Sequence, residues 1–371
     1  MRDARRRRHP NSWRLTFDEG LLLGLRPVRL LAGRARANWR WHGPLTARER
    51  LRAWRLGLLY QSYALYDLAS HDPADFLKDH VDIDYFVSES SRGAIGDKLT
   101  LLLSMRATGV PTPTGLGYIL HGRVHPLDTA GCPKMPVDWL EQSAELTAGF
   151  VLRPNAGGGG RGVHIFQPEG AGRYATAARS LSANELAAEM ERLDGYLITR
   201  FVEQHAYARA LHPPTPNTLR LLTIWDLETK RPYVAAAAQL VGRPGRGALS
   251  SFSGGVGGLS VEVDLSSGVL GRAVSLTGDG RRRSSDTHPD TGAPISGVEV
   301  PCWRRIADTV ERAASVVPHS PYVGWDLLLD DASEVQMIEA NPRPGVFAWQ
   351  AHRPLLEDPR ARRFFEHLGL A

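Results

Sequence analysis

Apolar residues recur at helical spacing over 45–70 (Leu51, Trp54, Leu58, Leu59, Ala64, Leu65), with Arg and Glu between them, which predicts a helix packed on a core. A second helical stretch lies within 91–113, starting near Asp97 and ending at Gly109 before a proline-stopped exit. A strand-like 117–120 then leads through a Gly/Pro-rich connection into a helix over 136–147. Beyond it the texture changes. FVLRPNAGGGGRGVHIF (150–166) has two short apolar runs around glycines, the pattern of a hairpin and not of a strand-to-helix turn. A helix at 183–192 and a strand at 196–202 follow, then strands at 218–225, 233–241, 258–265, 323–330 and 334–341, with a helix near 301–316 before the last pair. The segments 242–257 and 278–293 have the composition of long surface loops. Hairpins with few intervening helices argue an α+β fold.

Two of these elements carry candidate chemistry. The loop Asn155-Ala156-Gly157-Gly158-Gly159-Gly160-Arg161-Gly162 lacks the GxxxxGK[ST] spacing and opens no helix, so neither a P-loop nor a dinucleotide fingerprint is present. A glycine hairpin can still hold phosphate, because residues without Cβ let successive N–H groups turn toward one anion. A plain flexible loop has the same composition. In the last strand pair, Asp326 and Glu339 flank the turn Asp330-Asp331-Ala332-Ser333 at comparable distance and face one another, with Asn341 two residues on. Two carboxylates and an amide oxygen suit Mg²⁺, and their apolar neighbours make unpaired charge there costly.

Composition narrows the class. A chain of 371 residues, 42% hydrophobic and 23% charged, is an ordinary globular protein large enough for two or three lobes. Cys132 and Cys302 lie apart without metal-type spacing, which suits a reduced, cytoplasmic protein. The net charge of +5 is uneven: residues 1–55 hold fifteen arginines against Asp3, Asp18, Glu19 and Glu49, a balance of +11, so the rest carries 5 − 11 = −6. Either this leader meets something anionic (lipid head groups at the inner membrane face, an acidic polymer or nucleic acid), or it is a solvated tail. Residues 21–32 are interrupted by Arg26, Pro27 and Arg29, so neither export nor a membrane span is expected, and no specific nucleic-acid binding either.

The order VLRP–glycines–RGV, YLITRFV, NTLRLLT and GWDLLLDD…MIEANPRPG resembles the ATP-grasp superfamily, closest to its sugar-transfer branch associated with cell-surface polysaccharide genes, and is alpha-L-glutamate ligase-like. The resemblance runs from about Gly96 to the C-terminus and includes Asp97-Lys98, Val110 to Pro113, Gln204-His205, Ser253-Gly254-Gly255 and His288 to Gly292. It implies two α+β lobes with antiparallel sheets gripping ATP. The boundaries it suggests are a basic helical region 1–90, a first lobe 91–198 with the glycine loop, and a second lobe 199–371 with the magnesium site. Lys98, Arg153, Thr199, Phe201, Val202 and Gly157 to Gly162 (Gly158, Gly159, Gly160 and Arg161 included) would bind ATP, with backbone near Phe201 and Val202 reading adenine. Asp326, Glu339 and Asn341 would hold two Mg²⁺ ions, and Arg220 and Arg153 would offset charge on the transferred phosphoryl group. His288, His205 and Gln350 are candidates for acceptor binding.

Three positions depart from the family pattern: Arg153 stands for a lysine, Thr199-Arg200 for a hinge acid, and Leu102 for a second lysine. The implied activity is an ATP-dependent ligase that makes an acyl phosphate from a carboxylate, which an amine or hydroxyl acceptor then displaces. Two alternatives stand beside it: a kinase acting on a sugar hydroxyl, and a non-catalytic nucleotide-binding module docked at a membrane.

Overall fold

The structure, a computed structural model, describes residues 26–79, 89–127, 132–142, 146, 148–170, 172–176, 178–244, 252 and 257–370. The leader's Arg5 to Arg8, and Ser253-Gly254-Gly255, lie outside the described residues, as does most of 247–257.

Among the described residues fourteen strands form two antiparallel sheets of seven. The first contains β1 (Gly115–Leu120), β2 (Arg123–Pro126), β3 (Phe150–Pro154), β4 (His164–Gly170), β5 (Arg173–Ala175), β6 (Ser180–Ser182) and β7 (Tyr196–Arg200). Its order is β2-β1-β7-β3-β4-β5-β6. The helices Pro136–Gln142 and Ala183–Met190 supply Trp139, Leu140, Leu186 and Met190 to the core it shares with Phe150, Leu152 and Ile198.

The second sheet contains β8 (Leu219–Trp225), β9 (Pro232–Val241), β10 (Leu259–Val263), β11 (Leu270–Leu276), β12 (Arg282–Ser285), β13 (Tyr322–Leu329) and β14 (Val335–Asn341), in the order β12-β11-β10-β9-β8-β13-β14. Both its faces are covered, which is why its central strands read as near-continuous apolar runs and not as alternations. One face meets the helix Trp303–Val316 together with Leu101 and Met105 of the helix Lys98–Ala107. The other meets Leu58, Leu65, Tyr66, Phe76 and Leu77 of the N-terminal segment and Phe364 and Phe365 of the C-terminal helix. By packing, then, the helix after Asp97 and residues 58–77 both belong with the second sheet.

Local chemistry explains where the structure differs from the expected elements. The helix expected over 45–70 is two, Ala47–Leu56 and Tyr60–Leu65, because Gly57 adopts φ 76° and ends the first. Thr46 and Glu49 start that helix with a reciprocal capping box. The expected loop 278–293 contains β12, an edge strand of polar residues (Arg-Arg-Ser-Ser) that no apolar alternation announces. Among the described residues no helix is long and apolar enough to cross a membrane.

Candidate active site

Between the two sheets lies a cavity of about 400 Å³, within the range of small-molecule sites. The sequence motifs converge on it. Its walls include Lys98, Arg153, the glycines Gly157 to Gly160, Arg161, Thr199, Phe201, Val202, Arg220, Asp326, Glu339 and Asn341.

The acidic pair depends on a β-bulge. From the turn outward the register runs Leu329↔Val335, Leu328↔Gln336, Leu327↔Met337, which would set Asp326 opposite Ile338. The register shifts there, so Asp326 pairs with Glu339 and Gly324 with Asn341. Ile338 is the extra residue. Its carbonyl, left out of the ladder, accepts from Arg153 Nη1 at 2.8 Å. A residue of the first sheet is thereby tied to the metal-type strand of the second.

Three cations surround the two carboxylates, a local balance of 3 − 2 = +1. Lys98 is 6% exposed; its Nζ donates to the Gly157 carbonyl at 2.6 Å and lies 3.8 Å from Glu339 Oε2. Arg220 Nη1 sits 3.3 Å from Asp326 Oδ2. Burial outweighs these attractions on both sides. It lowers Lys98 against the pull of Glu339, lowers Arg153 to about 10, and raises Asp326 and Glu339 above the ordinary carboxylate range. For Asp326, Arg220 and Lys98 act against that rise; for Glu339, Lys98 opposes it and Asp326 adds to it. Arg153 Nε and Arg220 Nε are buried with no hydrogen-bond partner among the described residues.

The glycine loop lies over this cluster. Gly157, Gly159, Gly160 and Gly162 have φ of 101°, 70°, 72° and 72°, and a Cβ on Gly158 would stand 3.3 Å from Glu339 Oε1. Asn155 locks the loop's base: its N–H donates to the Gly195 carbonyl at 2.8 Å, its amide oxygen accepts from Leu99 N, and its Nδ2 donates to Asp97.

The cavity runs along the β13–β14 hairpin. The segment after β7 crosses the turn end, where His205 N–H donates to the Leu329 carbonyl at 2.8 Å and Asp331 N–H to the Glu203 carbonyl at 3.2 Å. Phe201 N–H is taken by the Gly149 carbonyl at 3.1 Å, so it does not point a donor into the cavity. Next come Leu328 and Ile338, then Asp326 and Glu339, and past them Gly345, Phe347 and Ala348 with Leu240 and Phe252. Trp349 closes that end: its Nε1 donates to the Arg220 carbonyl at 3.0 Å while the Arg220 guanidinium lies 5.6 Å from its ring centre.

The structure places the three acceptor candidates outside the cavity. His288 is 1% exposed, its ring bonded to the Gly242 carbonyl and stacked on His212 at 5.1 Å. His205 caps the helix Ala206–Leu211, with Nδ1 accepting from Tyr207 N. Gln350 is fully buried and its amide is spent on Leu77, Leu355 and Tyr66. The cavity residue Phe347 and its neighbour Trp349 were not read from the sequence, although they lie within eight residues of Asn341.

The family model for sugar-transfer-associated ATP-grasp proteins matches residues 86–356. The chain belongs to this ATP-grasp family. Several solved structures are similar in fold. One is a biotin carboxylase–β-γ-ATP complex from Campylobacter jejuni (14% identity, covering 73% of this chain and 46% of that one, TM-score 0.44). Another is an N5-carboxyaminoimidazole synthase from Aspergillus clavatus with ADP and 5-aminoimidazole ribonucleotide (9%, 73% and 54%, TM-score 0.40). A third is the ATP-grasp ligase PsnB with a phosphomimetic precursor variant, Mg and ADP (16%, 70% and 54%, TM-score 0.36). This ATP-grasp chain spans about half the length of the solved structures it matches. No curated protein matches it by sequence.

The donor set fits magnesium. Asp326 and Glu339 face each other, Asn341 adds an amide oxygen, and among the described residues no group of three or more His, Cys, Asp or Glu is placed to hold an ion. Two carboxylates that leave other positions to water and phosphate oxygens are what Mg²⁺ prefers in nucleotide sites. The Asn341 oxygen also accepts from Arg343 N at 2.9 Å, which fixes its direction.

Proposed function

We propose that this ATP-grasp protein is an ATP-dependent ligase that activates a carboxylate as an acyl phosphate and passes the acyl group to an amine or hydroxyl. The observation that carries the reading is the pairing of Asp326 with Glu339 among Lys98, Arg153 and Arg220, beneath a glycine loop. The base of ATP would lie at the turn end, between Val151, Ile165, Phe201, Val202 and Leu328, with Thr199 at its edge. With Phe201 N–H already bonded, the Val202 N–H is the backbone donor proposed for adenine. The phosphates would extend toward Lys98, Arg153 and Gly157 to Gly162 (Gly158, Gly159, Gly160 and Arg161 between them). Bound at Asp326, Glu339 and Asn341, Mg²⁺ would screen the phosphate charge and favour phosphoryl transfer.

In the first step a substrate carboxylate oxygen bonds to the γ-phosphorus while the bond to the ADP oxygen breaks. In the second, an amine or hydroxyl adds to the acyl carbon and inorganic phosphate leaves, with one proton released. Arg220 stands level with Asp326 on the neighbouring strand β8, where its fork would pair with two phosphoryl oxygens at once. The glycine loop keeps water from the intermediate. The acceptor would occupy the end lined by Leu240, Phe252, Gly345, Phe347 and Ala348.

The family's sugar-transfer association favours a second reading, a kinase that transfers the same phosphoryl group to a sugar hydroxyl. Incubating the full-length protein with MgATP and a panel of carboxylates and sugars separates the two. Carboxylate-dependent ADP release with a hydroxylamine-trappable product supports the ligase. A stable phosphate ester on a sugar supports the kinase.

A further inference from the structure

The N-terminal helices are rich in positive charge. From Arg26 to Tyr66 the sequence has nine arginines and one acid, Glu49. Glu49 is occupied locally: both the N–H and the hydroxyl of Thr46 donate to it at 2.7 Å. Elsewhere exposed arginines find acids, as Arg179 does Glu189, Arg272 Asp286, Arg305 Glu334 and Arg353 Glu262. Among the described residues no ion pair involves the exposed Arg36, Arg40, Arg48, Arg52 or Arg55.

These arginines alternate with exposed apolar side chains on common helix faces. Arg36 and Trp39 stand three apart on the helix Arg26–Trp39, with Arg40 just past its end, and Arg48, Leu51, Arg52 and Arg55 share one face of the helix Ala47–Leu56. Trp39 is 84% exposed, Leu51 52% and Trp54 36%, unusual values for large apolar residues. Arg34 joins the two helices, donating to the Trp54 carbonyl at 3.0 Å with its guanidinium 4.4 Å from the Trp54 ring centre. The pair is therefore a built unit on whose exposed side chains the described residues place neither acids nor apolar cover.

We propose that this helix pair docks in the plane of an anionic lipid surface, with the arginines on the headgroups and Trp39 and Leu51 entering the interface. Charge complementarity selects an anionic partner and disfavours a second copy of the same face. The apolar side chains select lipid over nucleic acid: Leu51 has no base to stack on, and the arginines spread along two helices and converge on no phosphate. Tryptophan between arginines is the composition of helices that lie at membrane interfaces.

Co-sedimentation of the full-length protein with phosphatidylcholine vesicles, with and without phosphatidylglycerol, tests this. Binding is expected only with phosphatidylglycerol present and should weaken as salt rises. Arg48→Ala with Arg52→Ala should reduce the affinity roughly 30-fold, at about fivefold per arginine near such a surface. Trp39→Ser with Leu51→Ser should reduce the binding that survives at high salt, and unchanged melting temperatures show that both variants fold. No binding to either vesicle, equal binding to both, or binding that both double variants leave intact would overturn the proposal. So would tighter binding to a duplex oligonucleotide than to the vesicles.

Discussion

At the scale of single residues, burial raises Asp326 and Glu339 above the ordinary carboxylate range in a site whose proposed chemistry needs their charged forms. Glu339→Gln is expected to lower ATP turnover by at least about 100-fold with the fold intact, since it removes one of two charges facing the phosphates. Asp326→Asn and Asn341→Ala should be milder. Turnover assays across magnesium concentrations, with circular dichroism as the control, check the ranking. The pH dependence follows from the raised carboxyls. A buried acid with a raised pKa gives stability that is complete below its unfolded value near 4 and is lost as pH rises through its folded value. Magnesium needs the deprotonated forms, so MgADP affinity should fall as pH drops, starting above the usual carboxylate range, and binding should release protons. Calorimetry in buffers of different ionisation enthalpy reads both effects. Residue identity at this site was legible because the Glu339-x-Asn341 motif and its distance from Asp326 are local in sequence. What it could not reveal is the bulge at Ile338, because a one-residue register shift leaves no mark in an apolar run. The same limit applies to Gln350, whose partner Leu77 lies 273 positions away in the chain.

At the scale of elements, the glycine loop is defined by backbone angles. Gly159 and Gly160 sit at φ 70° and 72°, where a β-branched residue is strained. Valine at both is expected to slow phosphoryl transfer. In a ligase it should also raise the ratio of ADP released to product formed, because a gaping loop lets water reach the acyl phosphate. A kinase would be slowed with that ratio unchanged. Quantifying ADP and product in the same reaction distinguishes them. Trp349→Phe tests the other end. It removes the 3.0 Å hydrogen bond to the Arg220 carbonyl while keeping an aromatic ring beneath the guanidinium. A fall in kcat with KM for ATP nearly constant is expected if Trp349 positions Arg220; equal changes in both would leave it a packing residue. The hairpin β3–β4 and the strand pair β13–β14 were readable from apolar runs bounded by turn residues. β5, β6 and β12 were not, being only three or four residues long and defined by their neighbours in the sheet.

At the scale of the whole molecule, residues 58–77 are a layer of the second sheet's core, with Gln350 as the fastening. Its amide oxygen accepts from Leu77 N at 2.8 Å and Leu355 N at 3.2 Å, and its amide nitrogen donates to the Leu77 carbonyl at 3.0 Å. Gln350→Ala leaves these buried groups unpaired and should cost about 2–4 kcal/mol, measurable by urea unfolding. Deleting residues 1–79 should leave a protein that aggregates, since the faces that cover Leu222, Ile224 and Leu276 go with it; size-exclusion chromatography reads that directly. The clasp between Leu77 and Gln350 also bears on how the chain is made. Leu77 leaves the ribosome long before its partner exists, and at roughly 5–20 residues per second the intervening chain takes about 15–55 s to synthesise. For that interval the first-made segment carries Leu58, Leu65, Phe76 and Leu77 without the surface they are shaped to cover. Residues 58–77 are thus among the last parts to find their place, and a chaperone that holds nascent apolar segments would have its natural client in them.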